Sequence, residues 1–242
     1  MIGLDYSIPF LDLDDIVDTE SFLKLDKEIA MGLAKSYLHI CDPGPRVYKL
    51  QNDLIYPYEE EYKHKKEVEG LTTYERRTFL KYWKDIHYSV SGVFLKKHKG
   101  YLNKDSGEGA EWTNNAKFFP ELIKYINTLP FINFGRVFFF TLDHFSILTE
   151  HRDGMYDGER NDVCEFLWFT IDKNKMRFHL VDEQENGIKV KHYPESTCTW
   201  FNDQDRHTSD GIPQASYCLR IDGVFTNEFR EKIKCKLSSL QT

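Results

Sequence analysis

His151 and Asp153 stand two positions apart, and His207 follows downstream, so the chain holds two imidazoles and one carboxylate in a suggestive order. That donor set binds ferrous iron on one face and leaves the opposite face open for chemistry. On an extended strand residues i and i+2 project to the same side. His151 and Asp153 can therefore serve as neighbouring ligands, while Arg152 points away from the cation. Arg220 lies thirteen positions beyond His207, and its planar fork of N–H donors suits the carboxylate of an organic co-substrate. If the four residues converge, the chain is an oxygen-activating enzyme.

Each piece is weak alone. With nine histidines in the chain, one His-x-Asp arises readily by chance. A single His207 in a polar run reads as a solvated side chain, and a single Arg220 as a surface residue. The weight lies in the order of elements around them. From Phe134 onward the pattern is strand: Arg136–Leu142, Phe145–Thr149, Val163–Ile171, Met176–Val181, Ile188–Tyr193, Thr197–Phe201 and Ser216–Phe225 are rich in Phe, Val and Ile and are separated by Asp, Asn and Gly turns. Asn186-Gly187 predicts a tight hairpin. Such a run of short strands is an antiparallel barrel or a jelly roll. His151 and Asp153 fall at the end of one strand and His207 after another. Within Ser216–Phe225, alternation sets Tyr217, Leu219 and Ile221 on one face and Cys218, Arg220 and Asp222 on the other, which implies a polar interior.

Up to about Leu129 the chain reads as mainly helical and irregular. Asp18 or Thr19 can cap a helix carrying Phe22, Leu25, Ile29, Leu33 and Tyr37, which Cys41-Asp42-Pro43-Gly44-Pro45 would break. A second helix is expected over Thr73–His87. A third starts at Pro120, a favoured first helical position, and Asn227–Leu240 closes the chain as a helix with Phe229, Ile233, Leu237 and Leu240 on its apolar face. The division predicted is a mainly helical region 1–129 that packs on the barrel and shapes a substrate pocket, a catalytic core 130–226 and a C-terminal helix 227–242, together one integrated domain.

Composition narrows the classes. A net charge of −7 disfavours nucleic acid as partner, since such domains carry a basic surplus. No apolar run approaches a membrane span, and the start of the chain lacks the features of a signal peptide. Five scattered cysteines read as reduced thiols, so the expected location is the cytoplasm. Residues 74–104 carry eight Lys or Arg against two acidic residues, read as a solvated basic helix face. The stretch Met155–Asn161, preceded by Gly154 and containing Gly158, could be a lid or a plain loop. His192, on a polar strand, is expected to be exposed. Arg177 and His179 alternate on one strand face, where pairing of His179 with Asp182 or Glu183 is the plainer reading.

From Phe119 to Thr226 the chain resembles the iron(II)- and 2-oxoglutarate-dependent oxygenases, and within them the aspartyl/asparaginyl β-hydroxylase group that includes free-proline hydroxylases. The residues that carry the likeness are His151-x-Asp153, Arg177-x-His179, Trp200-Phe201-Asn202-Asp203, His207, and Arg220 before Ile221-Asp222. The resemblance implies an α+β fold with a double-stranded β-helix (jelly-roll) core flanked by helices. It implies that His151, Asp153 and His207 hold Fe(II), that Arg220 binds the distal carboxylate of 2-oxoglutarate, and that Arg177 and His179 support that co-substrate. With O2 as oxidant, the reaction implied is hydroxylation of an unactivated C–H of an amino acid, free or within a small molecule or peptide. Retention of Asp153 favours hydroxylation over halogenation. Desaturation or cyclisation by the same cofactors, and a cupin-like protein that binds a metal or ligand without turnover, are the alternatives.

Overall fold

The computed structural model describes residues 3–4, 7–36, 39–40, 69–70, 90–98, 109–142, 148, 150–153, 165–171, 178–211 and 216–240. In chain order the elements are β1 (Phe10–Asp12), α1 (Thr19–Leu23), α2 (Asp26–Lys35), β2 (His39–Ile40), β3 (Val90–His98), β4 (Ala110–Trp112), α3 (Pro120–Ile126), β5 (Phe131–Leu142), β6 (Phe166–Thr170), β7 (Phe178–Glu183), β8 (Lys189–His192), β9 (Cys198–Phe201), β10 (His207–Ser209), β11 (Ser216–Phe225) and α4 (Asn227–Leu240). The fold is α+β, with a mostly antiparallel sheet core.

The large sheet runs β1-β9-β6-β11-β5-β3-β2, with β4 beside β3, and the small sheet runs β10-β7-β8. A bridge between His151 and His207 adds one more short strand segment to the edge of the small sheet. From β5 onward the chain alternates between sheets: large, small (His151), large (β6), small (β7 and β8), large (β9), small (β10), large (β11). This is jelly-roll connectivity, in which each long-range pairing closes one sheet over the other.

Period-two alternation fixes which side chains go where. Val137 and Phe139 of β5, Leu167 and Phe169 of β6, and Leu219 and Ile221 of β11 lie on the outer face of the large sheet. They are covered by Phe22 of α1, Ile29 of α2, Leu122 and Ile126 of α3, and Phe229 and Ile233 of α4. The opposite face meets the small sheet through Phe166, Trp168 and Phe201 against Phe178 and Leu180. Trp168 and Phe178 approach to 4.8 Å between ring centroids, and Phe178 and Phe201 to 4.9 Å.

The first helical expectation divides in two. Lys24 and Leu25 turn the chain through bonds to the carbonyls of Glu20 and Phe22, and this change of direction lets Phe22 and Ile29 both reach the sheet. Asp18 caps α1 by accepting from the Ser21 N–H. Pro120 opens α3 as expected, and the Glu28 carboxylate accepts from the N–H groups of Glu121 and Leu122, satisfying donors that a helix start leaves bare. Val90–His98, where a basic helix face was expected, is a strand paired to β5. Lys96 gives its ammonium to the Phe134 carbonyl and lies over the Phe134 ring. Gly187 adopts φ 76° in the hairpin joining β7 to β8, as the Asn-Gly pair requires. The helix expected over Thr73–His87, the turn at Cys41–Pro45 and the Met155–Asn161 stretch lie outside the described residues. Of the strand expected over Phe145–Thr149, only Leu148 is described. Cys198, Cys218 and Cys235 are free thiols, and among the described residues no helix is long and apolar enough to cross a membrane.

Gly32 of α2 is required by packing. A Cβ there would stand 2.4 Å from Cε1 of the buried Phe119 ring. Gly→Ala inside a helix ordinarily stabilises by about 1 kcal/mol. Here Gly32→Ala is expected to reverse that sign and cost about 1–3 kcal/mol, read as a lower urea midpoint with an unchanged m-value.

Candidate metal centre

Strand register, rather than loop conformation, brings the two histidines together. The His151 N–H donates to the His207 carbonyl at 3.0 Å and the His207 N–H donates back at 2.9 Å. This hydrogen-bonded pair holds the rings 4.3 Å apart between centroids. Two residues on, the Asp153 N–H donates to the Asp203 carbonyl at 2.8 Å. The register sends His151 and Asp153 to one side and Arg152 outward, where it is exposed. The ligand atoms of His151, Asp153 and His207 all lie within 4.8 Å of one another. His151 Nε2 and Asp153 Oδ1 are 3.6 Å apart.

These donors suit a divalent first-row metal. Three ligands about 2.1 Å from one ion on a single octahedral face stand roughly 3 Å apart, within small side-chain rotations of what is seen. His207, 4 % exposed, has its Nδ1 2.8 Å from the Asp205 carbonyl. A carbonyl only accepts, so Nδ1 carries the proton and Nε2 presents a lone pair to a metal. Phe178 and Phe201 pack against the same ring. His207, which taken alone would suggest a solvated loop residue, is a buried strand residue, because β10 begins at His207 and pairs it with Leu180 of β7.

Behind the triad is a charge cluster. Arg220 donates through Nη1 to Asp153 Oδ2 at 3.2 Å, through Nη2 to Asp203 Oδ2 at 2.7 Å and through Nε to Asp222 Oδ1 at 2.6 Å. Its guanidinium lies 4.0 Å over the Phe166 ring. Burial alone would pull the Arg220 pKa down, but Asp222, Asp203 and Asp153 outweigh it and hold the cation well above its ordinary range. Asp153 therefore has one oxygen beside His151 and the other tied to Arg220, an orientation suited to a single-oxygen metal ligand. The inward direction expected for Arg220 and Asp222 is observed. The fork assigned to a co-substrate, however, already serves three carboxylates, because an arginine buried this deeply needs counter-charge.

His179 is not brought to the triad. It pairs with Thr208 rather than His207, and alternation turns it to the other face of the small sheet. There its Nδ1 is 3.8 Å from Asp210 and its ring 5.0 Å from Tyr193, so the partner is Asp210 rather than Asp182 or Glu183. Arg177 lies outside the described residues. His192, expected to be exposed, has a buried Nε2 that makes no hydrogen bond among the described residues, since it pairs with Leu180 on the inward side. Two inward groups, Trp168 Nε1 and Thr199 Oγ1, are also buried without a partner, at directly opposed positions of β6 and β9.

The residues that sequence reasoning missed are Arg136 and the structural use of Asp203 and Asp222. Arg136 Nε donates to Asp222 Oδ2 at 2.6 Å. Its only signal was an arginine two positions before Phe138 in an otherwise apolar strand. A cleft of about 490 Å³ borders the triad segments, lined by Arg152, Arg206, Asp182, Glu183, Asp205 and two apolar residues.

No protein-family model and no curated protein matches the chain. Among solved structures it is similar to a 2OG-Fe(II) oxygenase family oxidoreductase from Burkholderia pseudomallei, at 10% identity and a TM-score of 0.36 over 55% of this chain and 68% of that one. It is also similar to a Pseudomonas putida prolyl-4-hydroxylase, at 12% identity and a TM-score of 0.30 over 81% and 97% of the two chains. A third is a Trichoplax adhaerens prolyl hydroxylase in complex with a hypoxia inducible factor peptide fragment, at 8% identity and a TM-score of 0.35 over 89% and 95%. Alignments this distant carry no functional argument, and function has to be read from the site itself.

Proposed function

We propose that this chain is a non-heme Fe(II)- and 2-oxoglutarate-dependent dioxygenase that hydroxylates an unactivated C–H of an amino acid, free or within a small molecule or peptide. The observation that carries the reading is the convergence of His151, Asp153 and His207, whose ligand atoms lie within 4.8 Å of one another; three such donors on an octahedral ion would leave three positions for exogenous ligands. His151, Asp153 and His207 would hold the iron. When bound, the metal would activate O2, the oxidant, with the 2-oxo acid as the reductant that is oxidised to succinate and carbon dioxide. The chain's own part is to fix the ligands. The Asp205 carbonyl sets the His207 tautomer, Arg220 holds Asp153, and the Phe166, Phe178 and Phe201 rings exclude water beside His207 and Arg220. Residues 1–129 are proposed to complete the wall of the substrate pocket.

Anaerobic addition of Fe(II) and 2-oxoglutarate to wild type is expected to raise a weak visible charge-transfer band. Admission of air with an amino-acid panel should then release succinate above the uncoupled background. A protein that shows no band, and consumes no 2-oxoglutarate with any candidate, would end the reading.

A further inference from the structure

We propose that the hook closed between Gly3 and Ile8 is a positioning element for the metal ligands, acting on His207 through Asp205; this rests on the metal-centre reading above. Backbone bonds close the hook on itself. The Gly3 N–H donates to the Ile8 carbonyl at 2.8 Å, the Ile8 N–H donates back at 3.3 Å, and the Ser7 N–H donates to the Leu4 carbonyl at 3.1 Å. β1 follows and pairs Phe10 with Phe201 of β9. Because that pairing is antiparallel, the hook lies beside the residues that leave β9: Asn202, Asp203, Gln204 and Asp205. These form a buried turn, none of them more than 5 % exposed. The Asp205 N–H donates to the Asn202 carbonyl at 3.0 Å, and the Gln204 N–H donates to Asn202 Oδ1 at 3.1 Å.

This turn serves two of the three ligands. The Asp203 carbonyl takes the Asp153 N–H, the Asp203 carboxylate takes Arg220, and the Asp205 carbonyl takes His207 Nδ1. The hook grips the same turn from the other side. The Leu4 N–H donates to Asp205 Oδ2 at 2.9 Å, so Asp205 meets the hook by its side chain and the metal ligand by its backbone. Gly3 permits the approach. Its φ is 132°, and a Cβ there would stand 2.9 Å from Asp205 Oδ2 and 3.1 Å from Asn202 Nδ2. Leu4 also packs against the cluster that contains Phe178 and Phe201, the two rings in contact with His207. A side chain at position 3 therefore has to lift the hook or displace Asp205. Either loosens the carbonyl that fixes the His207 tautomer.

Point variants of the full chain test the link, with Co(II) under argon as the probe. Gly3→Ala should weaken Co(II) binding about tenfold, the lower end of what loss of an outer-sphere partner costs, with an unchanged far-ultraviolet spectrum. Asp205→Ala removes the acceptor for the Leu4 N–H but keeps the backbone carbonyl, and should weaken Co(II) by a similar factor. The double variant should bind no more weakly than either single one, because both break the same connection. Nitrogen-15 shifts of the metal-free protein supply a readout that stability alone does not move. The neutral His207 ring should carry its proton on Nδ1 in wild type and exchange it between both nitrogens in each variant. A lower Tm with Co(II) affinity and tautomer unchanged would make the hook a mere cover and overturns the proposal, as do additive losses in the double variant. Failure of wild type to bind Co(II) sinks the metal-centre reading itself, and is told apart by that.

Discussion

His207→Ala should lose Fe(II) affinity by more than about 100-fold, beyond the 10–100-fold that loss of an outer-sphere partner costs, and should reduce 2-oxoglutarate turnover to background. The substitution removes one of three metal donors but spares the backbone pair between positions 151 and 207, which is made by N–H and carbonyl groups alone. The small sheet is therefore retained. The void left between Phe178 and Phe201 should cost about 1–3 kcal/mol, visible as a modest fall in Tm with an unchanged far-ultraviolet spectrum. Isothermal titration of Fe(II) under argon separates the two effects. Retention of full affinity in a folded His207→Ala protein would remove this residue from the ligand set, and with it the functional reading.

Arg220→Gln is expected to act on stability and on metal binding together. It strips the central cation from Asp153, Asp203 and Asp222, of which Asp203 is 2 % and Asp222 0 % exposed. Breaking a buried pair from one side costs about 3–5 kcal/mol because the partner charge is left behind. For a chain of this size that is a fall in Tm of about 6–20 °C. Asp153 Oδ2 also loses its anchor, so Fe(II) affinity should drop about 10–100-fold. Adding Asp203→Asn to Arg220→Gln should restore part of the stability, because the two residues share one network. Additive losses in that double variant would mean that the ion pair contributes nothing of its own.

Which parts of this site could be read from the chain follows from how local the signal was. Ser216–Phe225 alternates cleanly, and its observed bounds and faces are those expected, since an antiparallel strand half-buried on each side writes its orientation into the pattern. Asn227–Leu240 and the Pro120 start were equally local. Val90–His98 was hidden because its lysines break the alternation, and because pairing with β5 is a tertiary fact about a strand some 40 positions away. The break at Lys24 and Leu25 answers to a demand of the sheet beneath, which helical periodicity does not report. The metal ligands were found through residue type and order. The burial of His207 came from β10, three residues too short to register as a strand. The rotation of His179 to the far face follows from a register with Thr208 that no spacing specifies.

The reciprocal backbone pair between His151 and His207 carries a wider meaning. It joins positions 56 apart, and the side-chain bond from Arg220 to Asp153 joins positions 67 apart. The intervening chain builds β6, β7, β8 and β9 before the second histidine is reached. A chain severed anywhere between Asp153 and His207 keeps the His-x-Asp dipeptide pattern on one piece and the third donor on the other. Competence to hold a metal belongs to the closed barrel as a whole, so the ion, once bound, certifies that every strand between its ligands is in place.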